Sequence, residues 1–299
     1  MSPFIALCLL ITYVVWGTTY LAIRFALTDL PPFLMMGSRF LAAALLLAPL
    51  VVLRQRKQPE ERPTLRQVRN CALIGAFMLV GGMGMTAVAE QTISSGATTV
   101  MIASMPLFST LWTLLAGGRL RAYEIGAIAL GSIGIAVLFR GAEFQASTVG
   151  VLALTTAIAS WSFGSQLSKR IDMPKGMMAF VLEMAFGGVA LVLLSLITGE
   201  AWPKHIGMHA ALAWGYLVVF GSAIAFTAYM ALVERVSTVM ATSYVYVNPP
   251  IALLMGACLA DELVAPQTLG ATGIILAAVV VLTAGATRAA RRAARRAAA

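Results

Sequence analysis

Long runs of apolar residues alternate with short polar connections along almost the whole chain. A helix needs roughly 20 apolar residues to cross the hydrocarbon core of a bilayer, and runs of about that length recur from one end of the sequence nearly to the other. The pattern predicts ten transmembrane helices, with approximate bounds 4–23, 33–53, 70–89, 95–116, 123–139, 148–168, 177–197, 209–231, 237–259 and 266–286.

Composition supports an all-α integral membrane protein. The chain is 60% hydrophobic and only 11% charged, and its mean hydropathy is +0.88, values far from those of soluble proteins. The first apolar run has no basic region before it and no clear small-residue cleavage site, so we expect a retained helix rather than a signal peptide. The longest polar stretch, residues 54–69, is too short to form a domain.

The basic residues predict the orientation in the membrane. With the N-terminus inside, nearly all Lys and Arg fall on inner connections and the tail, and only Arg24, Arg140 and Lys204 fall outside. Cytoplasmic loops carry this kind of excess, so both termini are predicted to be cytoplasmic. The arginines of the tail, 288–299, recur every three or four residues and would lie on anionic lipid headgroups. The net charge of +9 therefore needs no nucleic acid partner.

The two halves of the sequence repeat the same features. YVVWGTTYLAIRFA near the N-terminus corresponds to IASWSFGSQLSKRI, and Pro106 and Pro249 stand at equal distances before Arg119 and Glu262. We infer two five-helix units, 1–145 and 146–287, followed by the basic tail. Because five is odd, the second unit enters the membrane from the opposite side, an inverted repeat typical of secondary transporters.

Prolines stand inside the predicted fourth and ninth helices. A proline removes one backbone hydrogen bond, which lipid tolerates only where the freed carbonyl faces protein or a water-filled cavity. Pro106, Pro249 and Pro250 are therefore predicted to bend these two helices around a shared pathway.

The segment SYVYVNPP adds polar candidates to the ninth helix. Tyr244 and Asn248 are four residues apart and share one helix face, whereas Tyr246 points away and is the weaker candidate. An amide in hydrocarbon needs a partner, so we expect Tyr244 and Asn248 to face the pathway. The alternative is that Asn248 only bonds a neighbouring helix.

Two further stripes could line the pathway. The first is aromatic, in helix one, with Trp161 as the repeat counterpart of its tryptophan; the second combines one threonine and two flexible thioethers in helix four. The candidates are Tyr13, Trp16, Tyr20, Trp161, Thr98, Met101 and Met105. Helix packing or an interfacial aromatic belt is the alternative for each.

Few charges fall inside the predicted spans. We expect Arg39 and Glu183 to snorkel to the nearest surface or to form a structural pair, and we expect Glu90 and Glu234 to be loop carboxylates at helix ends, with Glu90 at the outer mouth able to meet a leaving solute. No acidic pair of the kind that relays protons is evident. Proton coupling, exchange and facilitated transport all remain open.

The sequence contains no motif that indicates an enzyme. The three cysteines are far apart in sequence and form no metal or redox motif. His205 and His209 are four residues apart but have no third ligand nearby, and neither a Walker A motif nor GxGxxG occurs. We therefore expect no catalytic residue, no metal and no cofactor.

The order and spacing of one set of residues along the two halves match the pattern of a known family. These residues are Trp16, Gly17, Arg39, Pro106, Gly126, Gly134, Trp161, Pro249, Glu262 and Gly270. With them the chain resembles the drug/metabolite transporter superfamily, in the branch with two EamA domains. It departs from that pattern where Arg119 replaces a glutamate and Ala278 a glycine.

The resemblance implies an alternating-access carrier of the bacterial inner membrane that exports amino acids, aromatic ones first. We expect a monomer whose partners are a small-molecule substrate and membrane lipids. The alternatives are an exporter of drugs, nucleobases or other metabolites, and, from another class, a lipid scramblase or membrane-embedded enzyme.

Overall fold

The computed structural model describes residues 2–57, 62–141, 144, 147–236, 238–241 and 243–297. Throughout these ranges the regular structure is helical, and no strand forms. Eight helices are long and apolar enough to cross a membrane by length and composition, and two shorter apolar helices, Ala122–Leu138 and Tyr244–Leu259, accompany them. The prediction of an all-helical membrane protein is confirmed.

The helices follow one another with short connections. They are α1 (Pro3–Ala26), α2 (Pro32–Lys57), α3 (Leu65–Glu90), α4 (Ser95–Leu115), α5 (Ala122–Leu138), α6 (Thr148–Ser168), α7 (Met177–Ile197), α8 (Met208–Leu232), α9 (Tyr244–Leu259) and α10 (Pro266–Ala297). Polar caps fix several of the starts. The Ser2 hydroxyl accepts a hydrogen bond from the Ile5 N–H, and Thr64 and Gln67 form a reciprocal capping box ahead of α3.

The ninth predicted span, 237–259, is wrong as a continuous helix. A single turn, Thr238–Ala241, is separate from α9, which begins at Tyr244. Residues 237 and 242 lie outside the described residues, as do residues 145 and 146 at the predicted boundary between the two units. The backbone of the tail continues α10 as far as Ala297.

Two helices widen into π-helical stretches, Ala76–Gly84 in α3 and Leu217–Ile224 in α8. Such stretches often mark functional regions. In α3 the stretch contains Gly81 and Gly82, and a Cβ on Gly82 would lie 2.8 Å from Cε3 of Trp161 in α6. The missing side chain therefore lets α3 approach α6 closely.

The bundle has two ends, which we name by the chain. The terminal end holds the start of α1, where the Arg235 guanidinium stacks on the Phe4 ring. The distal end holds the end of α1, and there the Glu200 carboxylate accepts hydrogen bonds from the backbone N–H groups of Phe33 and Leu34, 2.9 Å each, at the start of α2. A carboxylate at a helix N-terminus stabilises it.

Helix α4 joins different partners at the two ends. Its first part, Ser95–Ile102, packs against α9 and α1 near the distal end, whereas its second part, Met105–Leu115, packs against α6. Helix α4 therefore moves away from α9 toward the terminal end.

Large apolar side chains also cover the outside of the bundle. Leu45 on α2 is 74% exposed and Ile197 on α7 is 81% exposed. Soluble monomers rarely expose many such side chains, whereas a surface that faces lipid requires them.

Candidate functional site

A central cavity lies between α1, α2, α3, α4, α6, α8 and α9. The centre of a water-sized sphere can move through about 120 Å³ of it. Apolar side chains make up most of its wall.

Aromatic rings form one side of the cavity. The Trp16 ring contacts the Tyr244 ring edge to face, with centroids 4.7 Å apart, and the Phe226 ring at 5.4 Å. The Trp16 Nε1 donates a hydrogen bond to the carbonyl oxygen of Gly221, 3.3 Å away. Because α1, α8 and α9 each hold part of this cluster, the rings are kept in place by several helices at once.

One charged side chain, Arg39, stands among the described residues that line the cavity. It is 2% exposed, and its Nε donates to Ser222 Oγ in α8 over 3.0 Å. Its Nη1 lies 3.6 Å from Met36 Sδ, and its guanidinium stacks on the Phe40 ring. Of the two alternatives predicted for Arg39, snorkelling to the surface is wrong, because Ser222 and Phe40 hold the side chain inside the bundle, and Arg39 forms no ion pair with a carboxylate of the described residues.

The threonine hydroxyl groups in the wall are already occupied. Thr19, Thr86 and Thr99 each donate to a backbone carbonyl of the preceding turn, at 2.7 Å, 3.0 Å and 2.7 Å. Arg39 is therefore the strongest hydrogen-bond donor that the wall offers to an anion.

Six of the predicted pathway residues line the cavity: Trp16, Tyr20, Met105, Trp161, Tyr244 and Asn248. Tyr13 lies nearer the terminal end, where its hydroxyl bonds Ser243 Oγ at 2.6 Å. Tyr246 faces α10, and its hydroxyl bonds Thr283 and the carbonyl oxygen of Val279.

The stripe predicted on helix four does not stay on one face. Thr98 and Met101 are 0% and 1% exposed and pack away from the cavity, Met101 in a core between α4, α6 and α10, whereas Met105 lines the cavity. The helix is interrupted between Ile102 and Met105, so the spacing of a continuous helix does not apply across that point.

The prolines differ in their surroundings. Pro106 is at the start of the second part of α4, directly after the interruption. Pro249 and Pro250 lie inside α9, which continues through them; Pro249 is buried and lines the cavity, and Pro250 is exposed. The break in the ninth helix comes earlier, before Tyr244.

Glu90 is buried, contrary to its prediction as a loop carboxylate. It ends α3 as predicted, but it is 2% exposed and neither carboxylate oxygen has a hydrogen-bond partner. Its electrostatic neighbours are Glu262, Arg24 and Arg39. The last turns of α3, Met85–Glu90, pack mainly against α6 and also contact α1, α2 and α4, which the sequence pattern did not reveal.

Predictions also concern two other acidic residues, Glu183 and Glu234. Glu183 is 7% exposed, so it does not snorkel; a Cβ on Gly75 of α3 would lie 2.8 Å from its carbonyl oxygen, which shows how closely the two helices pack. The side chain of Glu234 lies outside the part of the chain that the structure describes.

Glu262 joins three helices at the distal end. Its carboxylate accepts hydrogen bonds from the N–H and hydroxyl of Ser95, both 3.0 Å, and from the Gly96 N–H at 3.2 Å. The Arg24 Nε lies 3.4 Å from the same carboxylate. We call these four residues the distal latch, because they connect the ends of α1 and α9 to the start of α4.

Sequence reasoning missed Arg39, Phe40 and Phe226 as cavity residues. Arg39 was noticed, but its position near a helix end suggested a route to the surface. Phe40 and Phe226 carry no signal of their own, because a phenylalanine in an apolar helix is equally compatible with lipid contact. In the described residues, no group of three His, Cys, Asp or Glu could hold a metal ion.

Comparison with known proteins agrees with this architecture. The model of the EamA-like transporter family matches residues 3–140 and again 148–284. YedA, an uncharacterized inner membrane transporter of Escherichia coli K12, is 42% identical over 274 residues, covering 91% of this chain and 88% of YedA. A probable terminal-alkyne amino-acid exporter of Streptantibioticus cattleyicolor is 26% identical over 276 residues, 89% of each chain.

A solved crystal structure has the same fold. It superposes with a TM-score of 0.63 at 18% sequence identity and covers 96% of this chain and 99% of its own. With the family matched over most of both halves, the chain belongs to the EamA-like transporter family.

Proposed function

We propose that this transporter exports amino acids, with a preference for aromatic ones, through the central cavity. The observation that carries the proposal is the composition of the cavity wall: an aromatic cluster around Trp16 and, as the one cation among the described lining residues, the buried Arg39. An amino acid with a ring is complementary to both parts, because rings pack edge to face on rings and a carboxylate pairs with a guanidinium.

The same wall disfavours the principal alternative. A planar cationic drug would pack well on Trp16, Tyr244 and Trp161, but it would place its charge in a mostly apolar cavity that already holds Arg39. Like charges at close range in a medium of low polarity repel strongly. Neutral nucleobases would meet no such repulsion, and they would leave Arg39 without an anion.

We propose ten transmembrane helices arranged as two inverted units, 1–145 and 146–287. The family model matches twice, at 3–140 and 148–284. The two π-helical stretches also fall in the third helix of each unit, α3 and α8. The distribution of Lys and Arg supports a cytoplasmic position for both termini, and the relative YedA is named an inner membrane transporter.

Alternating access follows from this architecture. The distal latch and the packing of Ser95–Ile102 against α9 and α1 close one end, while the second part of α4 lies against α6 instead. With both termini in the cytoplasm the closed end is the outer one, and a solute enters the cavity from the inside. Export then requires the latch to separate while the terminal end closes.

Exchange in proteoliposomes tests the proposal. Vesicles loaded with unlabelled phenylalanine should take up labelled phenylalanine without any ion gradient. Trp16→Ala should reduce this uptake about tenfold, because the ring occupies the centre of the aromatic cluster. Trp202→Ala is the matched control, since Trp202 is 52% exposed in the connection before α8. Uptake that is equal in the two variants would refute the cavity as the transport site.

A further inference from the structure

We propose that Arg39 binds the carboxylate of the transported solute, so that a carboxylate is the feature every good substrate must carry. The inference rests on the proposed role of the cavity as the transport site. It goes further in naming one residue that decides which chemical class is accepted.

The guanidinium is only partly occupied by protein groups. Its Nε is used by Ser222 Oγ, and its Nη1 faces Met36 Sδ, a weak acceptor. The Nη2 donates no hydrogen bond to any residue in the described ranges. Beside it lies Gly221, where an added Cβ would be only 3.2 Å from Nη2. The missing side chain keeps the space next to this donor open.

The charge of Arg39 is also unpaired. Among the described residues Arg24 forms an ion pair with Glu262, and none of their carboxylates lies within ion-pair distance of Arg39. A buried charge without a partner is costly, and a charged residue inside a membrane span is by default a functional candidate. The cost falls when an anion enters the cavity and takes the open donors.

Glu90 is the protein's own candidate for that anion, but its geometry excludes direct pairing here. It is an electrostatic neighbour of Arg39, yet neither of its oxygens forms a hydrogen bond, and it does not line the cavity. Glu90 can only influence Arg39 from a distance. The hydrogen-bonding face of the guanidinium remains available to a solute.

A planar guanidinium suits this task better than an ammonium would. It presents donors in a fixed fork that matches the two oxygens of a carboxylate. Ser222 and the Phe40 ring hold that fork in one orientation, so little side-chain freedom is lost when the carboxylate arrives. Arg39 could instead serve only to connect α2 with α8 through Ser222, and that possibility predicts no preference between ligands.

Matched ligands separate the two roles. The purified protein is heated in detergent with phenylalanine, 3-phenylpropanoate, phenylalaninamide or phenethylamine. The first two carry a carboxylate and the last two lack one. We expect the carboxylates to raise the midpoint of unfolding and to bind at least about tenfold more tightly, the ratio expected of a charge-assisted hydrogen-bonded pair. Equal stabilisation by the amide and the acid would overturn the proposal.

Variants of Arg39 test whether this residue causes the preference for ligands with a carboxylate. Arg39→Gln should remove the difference between acid and amide, and Arg39→Lys should restore part of it because the charge returns without the fork. Ser222→Ala separates a connecting role from a binding role: it removes the hydrogen bond between Arg39 and α8 but keeps the cation, so it should reduce the preference for acids less than Arg39→Gln does. A preference that persists in Arg39→Gln contradicts the proposal. If Arg39→Gln does not fold, the comparison of Arg39→Lys with the native protein decides.

Failure of the Arg39 site and failure of the proposed function give different results. If the native protein exchanges no aromatic amino acid but is stabilised more by 3-phenylpropanoate than by phenylalaninamide, export of aromatic amino acids is wrong and the carboxylate site at Arg39 stands. If it exchanges phenylalanine and phenethylamine equally well, transport through the cavity stands and the role of Arg39 is wrong.

Discussion

The rings of Trp16 and Tyr244 meet edge to face with centroids 4.7 Å apart and an interplanar angle of 74°. Trp16 belongs to α1 and Tyr244 to the first turn of α9, so the contact joins the two segments that the EamA model matches separately. Any rocking of one half against the other must change this contact. A solute bound beside these rings would therefore sense the conformational state of the carrier directly.

Removal of the Tyr244 ring should weaken selection for aromatic substrates. Tyr244→Ala is expected to lower the apparent affinity for phenylalanine roughly tenfold and that for leucine less, because an aromatic pair contributes about 0.5–1.5 kcal/mol beyond burial. Competition by each amino acid against labelled phenylalanine measures both. Tyr246→Ala is the control, since Tyr246 contacts α10 instead. An equal loss for phenylalanine and leucine in Tyr244→Ala would contradict the ring's role.

The two carboxylate contacts of the distal latch should differ in strength. Glu262→Ala removes hydrogen bonds from Ser95 and Gly96 and is expected to cost about 1–3 kcal/mol of stability. Arg24→Ala removes a half-exposed ion pair, which is worth roughly 0–1 kcal/mol. Thermal unfolding of the purified variants measures the difference. A larger loss in Arg24→Ala would show that the ion pair, and not the capping of α4, holds this end together.

Neutralising Glu90 should stabilise the conformation described here. Glu90→Gln keeps the shape of a side chain whose oxygens have no partner and removes any cost of a buried charge, so we expect a gain of about 1 kcal/mol at neutral pH. Glu124→Gln is the comparison, because the Glu124 carboxylate accepts a hydrogen bond from the Arg121 N–H at the start of α5 and should lose stability. A loss in Glu90→Gln would mean that an ionised Glu90 is needed to balance Arg39.

Close packing of α3 on α6 should make Gly82 intolerant of a side chain. A Cβ there would lie 2.8 Å from the Trp161 ring, so Gly82→Ala is expected to destabilise the protein by about 1–3 kcal/mol and to disturb a ring of the cavity wall. Gly273 in α10 has nothing within 4 Å of the added Cβ. Gly273→Ala should therefore be neutral or stabilising by up to about 1 kcal/mol. The midpoint of thermal unfolding of the two variants tests this contrast.

Helical membrane architecture was predictable from the sequence because apolar runs of membrane-spanning length leave little alternative in lipid. The pair Tyr244 and Asn248 was also placed on one face, since α9 is continuous from Tyr244 onward. Predictions from residue spacing failed where a helix was not continuous. Thr98 and Met105 belong to separate parts of α4, and the break between Ile102 and Met105 has no clear marker in the sequence except Pro106.

The predicted positions of charged side chains were also wrong, for a different reason. Depth along a helix is readable from the sequence, but the direction in which a long side chain turns depends on neighbours from other helices. Arg39 turns inward because Ser222 and Phe40 are there to receive it. Glu90 is buried because α6, with α1, α2 and α4, packs against the end of α3. Both neighbourhoods are tertiary, so periodicity alone could not reveal them.

The most direct test of transport through an aromatic, cationic cavity is counterflow of labelled phenylalanine in proteoliposomes that hold the native protein. Vesicles preloaded with unlabelled phenylalanine should accumulate the label transiently, and vesicles preloaded with phenethylamine should not. Transient accumulation only in the first case is the predicted result. Absence of counterflow with phenylalanine, in protein shown to be folded and inserted, would contradict the account of the cavity as an amino acid site.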